Sequence, residues 1–492
     1  MKKTLLTTVK TSTILIGGAL MAQAAWASGY HFGTQSVSSQ ATANASAAEA
    51  ADPSTLFYNP AGLTKLEGTQ ATININLVAP KVKYSGASAE YPGGSSVQGS
   101  TSGSIEPNSV LVAPHMYASH QLNDNVALGL GIYVPFGSGT EYQRDSVLRY
   151  NLNELGLQSI AIQPTVAYKF NEQHSVALGL IAQNTKAHLR QYANFGATIP
   201  AAIGGGNGNA DGYAKVKGDD WGFGYNLAWM WDINDSARLG VNYRSKISHN
   251  LKGDAEWKLE APIFSSTTPL PPAMGGSVGN AATGGVRGAG YPAKEDASVK
   301  ITTPESLSVH GMYKINPQWN VFGDVTWTRH SRFNQVNLIF ENQKTVSPAQ
   351  LPGDMDPAKP GTQSDKTILT PQWRNTYKVA LGASYQLSEP LQLRFGWAYD
   401  QSPVKNSDLR MSTLPDANRM WFSVGGKYDI NKNNSINVAY SYLNIQDSKA
   451  NVDGYCGGAN AAAVGCVSSK TNGTANFKSH AHILGMQYTY KF

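Results

Sequence analysis

The amino-acid sequence predicts an all-β fold: a 14-stranded antiparallel transmembrane β-barrel whose lumen holds an N-terminal plug, or hatch. Three observations predict it. Large apolar residues alternate with polar or small ones along many segments, long polar loops alternate with tight turns, and the chain begins with an export signal. The composition agrees, because only 15% of the residues are charged while 49 glycines and 24 tyrosines suit strands, turns and interfacial rings.

The first 27 residues have the three parts of a secretory signal peptide. An N-terminal Met-Lys-Lys is followed by an apolar core at residues 14–21 and a small-x-small cleavage site, Ala-Trp-Ala, at residues 25–27. The apolar core is shorter than the roughly 18 to 20 residues of a spanning helix, which disfavours a membrane anchor. No later apolar run reaches that length, so a mature chain that enters a membrane is expected to form a closed barrel.

Residues 28–68 are expected to form the hatch, and residues 69–492 the barrel. A 14-stranded barrel leaves an interior that wall side chains do not fill. The segment DPSTLFYNPAGLTKLEG (52–68) is too apolar for a free tail, and a turn is expected at its Asn-Pro pair, because proline fixes φ and restricts the preceding residue. A periplasmic linker with a chance turn is the alternative. The predicted hatch residues are Leu56, Phe57, Tyr58, Asn59, Pro60 and Ala61.

Strict alternation identifies the strands most clearly near the C-terminus. Large apolar residues occupy every second position of residues 391–399, 436–442 and 484–492. A soluble sandwich would bury this apolar face, whereas a membrane barrel turns it toward lipid. The terminal aromatic residue, Phe492, also resembles the end of the last strand in many outer-membrane barrels.

Connection lengths favour the barrel over the sandwich. Six tight polar turns are predicted at residues 122–125, 171–173, 234–236, 316–318, 388–390 and 431–434. Seven long loops are predicted near residues 85–104, 141–154, 191–212, 259–296, 342–372, 403–417 and 447–476. Seven loops alternating with six turns require 14 strands, with both ends of the barrel on the short-turn side, as in outer-membrane barrels.

Strand three is expected to be irregular at its upper end. In IYVPFGSG (132–139) the proline cannot donate to a ladder and the glycines weaken pairing. We therefore predict a bulge or inward kink over Pro135, Phe136 and Gly137. The alternative is a proline tolerated near a strand end.

The two cysteines, Cys456 and Cys466, flank a Gly/Ala-rich segment. In an exported chain they are expected to form one local disulfide in an oxidising compartment. Two thiolates without a nearby histidine fall short of the usual four-ligand zinc set, so no metal site is predicted there.

No catalytic or cofactor motif is visible in the sequence. The ten histidines form no HExxH, no serine lies in GxSxG, and the Gly-rich GGGNGN (204–209) lacks the Lys-Ser/Thr of a phosphate-binding loop. The net charge of +6 is spread along the chain without a basic block, which argues against nucleic-acid binding. We therefore expect neither enzyme activity nor a cofactor.

Several motifs resemble those of one family, the long-chain fatty acid transporters of the Gram-negative outer membrane of the FadL/TodX type. NPAGLT (59–64) is similar to the family's hatch motif, and the Gly-Tyr at residues 29–30 to its mature N-terminus. Further similar segments follow in order: DWGFGYN (220–226), NYRSK (242–246), TPES (303–306), INPQW (315–319), TYKVALG (376–382), YDQSPV (399–404) and RMWFSVGGKY (419–428). The resemblance covers nearly the whole mature chain and implies the same barrel and hatch.

This resemblance implies a Gram-negative outer-membrane protein that takes up long-chain fatty acids or similar hydrophobic molecules. It implies capture outside, passage to a site within the barrel, movement of the hatch and lateral release. A monomer is expected, with outer-membrane lipids, lipopolysaccharide and the barrel-assembly machinery as further partners. The alternatives are uptake of aromatic or alkane hydrocarbons, a general porin, or an adhesin that depends on its outer loops.

A fatty acid needs an apolar slot for its chain and one or two cations for its carboxylate. In the family an arginine after the upper end of strand five helps to hold the carboxylate, and Arg190 stands at that place. Strict alternation would make Arg190 face lipid. It lies beyond the roughly 9 to 11 residues that cross the membrane, however, and there the alternation of inward and outward side chains is expected not to determine its direction. A generic loop arginine is the alternative. Lys366 or Arg374 is expected to supply any second cation.

The resemblance also implies roles for the kink, an outer groove and one acidic residue. The kink is expected to open the wall sideways. The groove is expected beside the amphipathic segment 141–155, unless that segment packs on itself. Asp400, on the inward face of its strand, is expected to hydrogen-bond the hatch, and a lumenal pair with Arg394 is the alternative. The candidate groove residues are Val147, Leu148, Leu152 and Leu155.

Overall fold

The computed structural model describes residues 33–91, 94–106, 110–346, 362–452 and 472–492, and in these residues it has one closed antiparallel barrel. The barrel wall has 14 strands, several of them interrupted once, so the predicted fold class is confirmed. The predicted signal peptide (1–27) and the predicted disulfide between Cys456 and Cys466 lie outside the described residues and stay predictions.

The wall strands are numbered here in chain order. They are β1 Thr69–Glu90, β2 Leu111–Gln121, β3 Val126–Tyr133 with Gly137–Glu141, β4 Glu154–Lys169, β5 His174–Asn194, β6 Asp211–Asp232, β7 Ala237–Arg244 with Ile247–Leu259, β8 Lys294–Thr303 with Ser306–Lys314, β9 Trp319–Thr328 with Val336–Val346, β10 Thr362–Leu369 with Thr376–Ser388, β11 Leu391–Asp400, β12 Arg419–Asn431, β13 Asn434–Val452 and β14 Asn472–Lys491. A two-residue strand, Gly103–Ser104, also pairs with β1.

Each wall strand pairs with the strands before and after it in the chain, and β14 pairs with β1 to close the sheet. The closing register runs from Gln70 opposite Lys491 to Glu90 opposite Asn472. Closure leaves the barrel without a free strand edge, which is the arrangement that satisfies backbone hydrogen bonds in lipid.

Side-chain exposure shows which face of the wall is apolar. On β1, Ile73, Ile75 and Leu77 are exposed, whereas Asn74 and Asn76 between them are fully buried. The other strands continue this outward band of large apolar residues. A wall with an apolar outer face matches a membrane barrel, so the alternative prediction of a soluble sandwich is wrong.

All six predicted tight turns join consecutive strands; β2, for example, ends at Gln121 and β3 begins at Val126. This short-turn end is the periplasmic end of such barrels, and the other is called the outer end below. The predicted loops begin too early after β1, β5, β9 and β13, which continue to Glu90, Asn194, Val346 and Val452. The strands run on because their ladder pairing continues beyond the apolar band.

Helices are few and short in the described residues. The α-helices are α1 Val37–Gln40, α2 Thr55–Tyr58 and α3 Val278–Gly288, and none is long and apolar enough to cross a membrane. The 3₁₀ helices are Pro60–Lys65, Arg149–Asn151, Phe195–Thr198, Ala201–Ile203, Pro262–Ser265 and His330–Arg332.

Residues 33–68 lie inside the barrel as the hatch. They meet inward-facing residues around the circumference, including Asn74 of β1, Gly240 of β7 and Gln487 of β14. Asn59 follows α2 with an extended backbone (φ −156°), and Pro60 begins the next 3₁₀ helix. The chain changes direction there because a residue before proline is kept out of the helical region.

Candidate functional site

Two buried wall arginines bind the hatch. Arg394 of β11 donates to both carboxylate oxygens of Glu49, at 2.7 and 2.8 Å. Arg244 of β7 donates to the carbonyl oxygen of Phe57 at 3.1 Å, and its guanidinium lies 4.4 Å above the Phe57 ring. Charge-assisted bonds of this kind are roughly twice as strong as neutral ones. The sequence analysis missed both contacts; the available signal was an arginine at an inward-facing strand position.

Neutral polar groups hold the hatch at two further places. Asn59 Nδ2 lies 2.8 Å from His310 Nε2 and donates to the carbonyl oxygen of Trp229 at 3.1 Å. Asn59 Oδ1 accepts from the N–H of Ala61 at 3.0 Å. On β14, Gln487 accepts from two backbone N–H groups of α1. The hatch is thus bonded to several sides of the wall.

Glycines in the wall make room for the hatch. A Cβ built on Gly396 of β11 would overlap the backbone of Thr42 and Ala43. A Cβ on Gly129 of β3 would lie 2.7 Å from the side chain of Leu56. Side chains at these positions would exclude the hatch from its place. The hatch also comes close to Gly131, Gly240, Gly382, Gly425 and Gly485.

The structure places the predicted hatch residues in two environments. Leu56, Asn59, Pro60 and Ala61 are buried against the wall. Phe57 is buried too, with its ring centre 5.0 Å from that of Tyr133, but the rings of Phe57 and Tyr58 also border a cavity. The Tyr58 hydroxyl accepts from the N–H of Gln35 at 3.0 Å.

This cavity, of about 100 Å³, lies between the hatch and strands β7 to β11. Its wall carries five hydroxyl side chains, His330, and the charged residues Arg244, Asp324, Lys378 and Asp400. Pockets that enclose whole small molecules usually measure roughly 300 to 1,000 Å³. The cavity therefore has room for a polar head group but not for a long acyl chain.

A large apolar cluster occupies the outer end of the barrel. It draws on β1, β5, β6, β13 and β14, on the connections after β1, β3 and β11, and on the breaks in β3 and β10. Its buried members, called the outer apolar cluster below, are Val82, Tyr84, Ala87, Ala89, Tyr91, Val97, Ile105, Phe136, Tyr142, Val147, Leu148, Tyr150, Leu152, Tyr192, Tyr213, Trp373, Val404, Met411, Leu414, Ala450, Ala475 and Phe477.

The predicted groove residues meet in this cluster. Val147, Leu148 and Leu152 are buried members, and Leu155 packs against it. Segment 141–155 is helical only over the 3₁₀ turn Arg149–Asn151, so its apolar residues are grouped by tertiary packing rather than by one long helix. That they line a ligand groove stays a prediction.

Arg190 lies on the outward-facing side of β5, above the apolar band. β5 and β6 pair without interruption from His174 to Asn194, so Arg190 lies on the same face of β5 as the exposed Leu178 and Leu180. We expected the alternation of inward and outward side chains not to determine the direction of Arg190. This was wrong, because the strand continues regularly beyond the part that crosses the membrane.

Arg190 already has anionic partners. Its guanidinium lies 3.0 Å from a carboxylate oxygen of Glu141 and 3.0 Å from one of Glu154, and its Nε donates to Asn153 Oδ1 at 2.7 Å. The hydrogen bond with His188 and the charge of Arg190 lower the pKa of the Glu154 carboxyl, although burial opposes this. A ligand carboxylate would have to displace Glu141, whose side chain is 45% exposed against 14% for Glu154.

The two other candidate cations lie on β10, away from the strand of Arg190. Lys366 is exposed in the first part of β10, opposite Ile339 of β9. Arg374 lies in the break of β10, where its Nε donates to the carbonyl oxygen of Ser402 at 3.0 Å. Their roles in binding a ligand stay predictions.

Strand β3 is interrupted over residues 134–136, which include Pro135 and Phe136. Tyr133 pairs with Ala161 of β4 before the break and Gly137 pairs with Gln158 after it. Three residues of β3 thus face two of β4, as in a bulge. Beyond the break Thr140 donates to the carbonyl oxygen of Thr413, in the connection after β11, at 2.8 Å.

The break in β3 coincides with a change in the wall. In the described residues the β2–β3 ladder ends at Met116 opposite Ile132, and the outer part of β2 has no ladder partner on β3. The hatch reaches this place, since Gln35 Nε2 donates to the carbonyl oxygen of Val134 at 3.4 Å.

Asp400 ends β11 and borders the cavity together with hatch residues. It faces Arg419 of β12, with 3.8 Å between Asp400 Oδ2 and Arg419 Nε. Arg394, which we considered as its partner, is instead bonded to Glu49 of the hatch. A coupling role for Asp400 stays a prediction.

The described residues contain no group of three or more His, Cys, Asp or Glu side chains that could hold a metal ion.

Comparisons with known proteins agree on one family and one fold. The family model described as outer membrane protein transport protein (OMPP1/FadL/TodX) matches residues 18–492. The outer membrane protein NMB0088 of Neisseria meningitidis serogroup B is 52% identical over 98% of this chain and 99% of its own length. The long-chain fatty acid transport protein of Escherichia coli O6:H1 is 26% identical over 89% of this chain and 92% of its own.

Solved structures share the fold at lower identity. A Pseudomonas aeruginosa FadL homologue matches 94% of this chain and 100% of its own, with a TM-score of 0.75 and 21% identity. The toluene transporter TbuX of Ralstonia pickettii matches 93% and 98%, with a TM-score of 0.61 and 17% identity.

Proposed function

Because the chain belongs to the outer membrane transport protein family of the OMPP1/FadL/TodX type, we propose that it takes up long-chain fatty acids across the Gram-negative outer membrane. The family is one of outer-membrane transport proteins for hydrophobic substrates; the Escherichia coli relative is named a long-chain fatty acid transport protein, and the Ralstonia pickettii protein a toluene transporter. The proposed route is capture at the outer end, passage into the barrel, movement of the hatch and lateral release.

The outer apolar cluster is the observation that carries this proposal. It gathers aliphatic and aromatic side chains at the outer end of the barrel. Moving an acyl chain from water into such surroundings contributes about 0.8 kcal/mol per buried CH₂. The cluster thus supplies what the chain of a fatty acid needs, and its residues Val147, Leu148 and Leu152 are proposed to meet the ligand first.

The hatch is proposed to move during transport. It fills the lumen, and the cavity beside it is too small for an acyl chain. Gln35 of the hatch reaches the break in β3, where Pro135, Phe136 and Gly137 are proposed to form the lateral exit. An exit into the membrane spares the chain the cost of crossing the watery periplasm.

Binding competition tests the choice of ligand. Purified, delipidated protein is expected to bind radiolabelled oleate saturably, and excess toluene is expected to displace little of it, because a single ring fills little of the space taken by an acyl chain. Toluene competing as well as unlabelled oleate would favour hydrocarbon uptake. Ion conductance without saturable binding of either ligand would indicate a general porin.

Arg190, Lys366 and Arg374 remain proposed contacts for the carboxylate during capture. For Arg190 the role requires Glu141 to move away. We therefore expect Glu141→Gln to strengthen oleate binding severalfold by removing a competing carboxylate, with Glu172→Gln, at an exposed periplasmic turn, as the control. Unchanged or weaker oleate binding by Glu141→Gln would contradict a ligand role for Arg190.

A further inference from the structure

Lys378 of β10 is a lumenal cation without a bonded partner. It borders the cavity beside the hatch, and its ammonium lies 5.0 Å from the centre of the Trp421 ring. No other described residue gives it a hydrogen bond or an ion pair within 4.0 Å. An ammonium group has three hydrogen-bond donors. Burying it halfway without any hydrogen bond costs free energy unless water or an anion accepts from it.

The other charged groups of the cavity are already engaged. Arg244 is bonded to Phe57 and to wall side chains. Asp324 accepts from Thr326 at 2.7 Å and lies 3.6 Å from His310 Nδ1, and Asp400 lies 3.8 Å from Arg419. Asp324 and Asp400 border the same cavity and attract the Lys378 ammonium, but neither lies within ion-pair distance of it. Lys378 therefore still has its hydrogen-bond donors available to an incoming anion.

The cavity is next to the outer apolar cluster. His330 borders the cavity, and its ring meets that of Trp373 edge to face with 6.0 Å between the centres. Trp373 belongs to the cluster, and Phe333, 4.6 Å from it, packs against the cluster. A ligand with a polar head and a long apolar chain could place its head near Lys378 and its chain among these rings.

We propose that Lys378 is the cation of an inner carboxylate site, in which the head group of a bound fatty acid lies against the hatch while its chain extends into the outer apolar cluster. This inference rests on the proposed function and adds the residue that binds the carboxylate. The head group would contact Phe57 and Tyr58, the same hatch residues that border the cavity. Arrival of the ligand is thereby coupled to the bond between Arg244 and the hatch.

Substitutions at Lys378 test the site with two ligands that differ only in the head group. Equilibrium binding of oleate and of oleyl alcohol is measured on purified, delipidated full-length protein. Lys378→Met is expected to weaken oleate binding about 10-fold or more, the loss expected for a charge-assisted hydrogen bond, and to leave oleyl alcohol binding unchanged. Lys378→Arg, which keeps the charge, is expected to bind oleate within a fewfold of the parent.

Lys427→Met is the matched control, because Lys427 faces inward on β12 near the periplasmic end and pairs with Asp429 at 2.9 Å. Heat-modifiable electrophoretic mobility verifies that each variant folds. Unchanged oleate binding in Lys378→Met, or an equal loss for both ligands, would overturn the inner carboxylate site alone. Failure of the parent protein to bind oleate would overturn the proposed function as well.

Discussion

Replacing Gly396 by alanine is expected to displace the hatch and to open the lumen to ions. The new Cβ would overlap backbone atoms of Thr42 and Ala43, which cannot move aside as a flexible side chain can. Overpacking typically costs about 1 to 3 kcal/mol and occasionally more, and here the hatch can escape it by leaving the wall. Single-channel conductance in planar bilayers is expected to rise severalfold, and oleate uptake by intact cells to fall strongly.

Gly323→Ala is the control for Gly396→Ala. Gly323 is also in the middle of a wall strand, but a Cβ there would meet only one side-chain atom, at 3.9 Å. Conductance and uptake are expected to stay at parental values in this variant. Parental conductance in a folded Gly396→Ala barrel would show that the hatch does not depend on the space left by this glycine.

Deleting residues 33–64 is expected to leave a membrane-inserted, heat-resistant barrel with high conductance and no saturable oleate uptake. The wall keeps its strand ladders, because these residues contribute no strand to the sheet. Arg244 and Arg394 lose their hatch partners, but water entering the lumen hydrates them, so the penalty of an unpaired buried charge is avoided.

A Gly/Ser segment of equal length in place of residues 33–64 separates the loss of the hatch from the loss of chain length. It is expected to behave like the deletion, because it has none of the side chains that bond to the wall. A truncated barrel that assembles, stays non-conducting and imports oleate at the parental rate would mean that this segment is only a linker.

The sequence was sufficient to predict the wall. Alternating apolar residues, such as Ile73, Ile75 and Leu77, face lipid because the side-chain period of a strand is two. The short turns between strands are marked by their own polar, turn-forming residues, so the number of strands, 14, could be counted. The ends of β1, β5, β9 and β13 were misplaced because a ladder can continue in polar sequence, where no apolar alternation marks it.

The contacts between hatch and wall were not predictable in the same way. The bond between Glu49 and Arg394 joins residues 345 positions apart in the chain, and nothing local in the sequence shows which inward-facing cation meets which hatch acid. Lys378 was overlooked for a related reason. It shares a cavity with Asp324 and Asp400 but forms no ion pair with either, which is a property of the folded cavity and of no single motif.

The claim that the hatch must move is tested most directly by locking it to the wall with a disulfide. In Ala45→Cys/Gly382→Cys the two Cβ atoms would lie about 3.2 Å apart, a few tenths of an ångström inside the usual range of about 3.5 to 4.5 Å for a disulfide. Thr42→Gly is added because the new Cβ at position 382 would otherwise lie 2.8 Å from the Cβ of Thr42 and push the hatch away. The pair is introduced with Cys456→Ser and Cys466→Ser, so that no other thiol interferes. Oleate uptake into proteoliposomes is measured before and after reduction. The account predicts no uptake in the oxidised protein and parental uptake once the bond is reduced, whereas parental uptake by the fully cross-linked protein would contradict it.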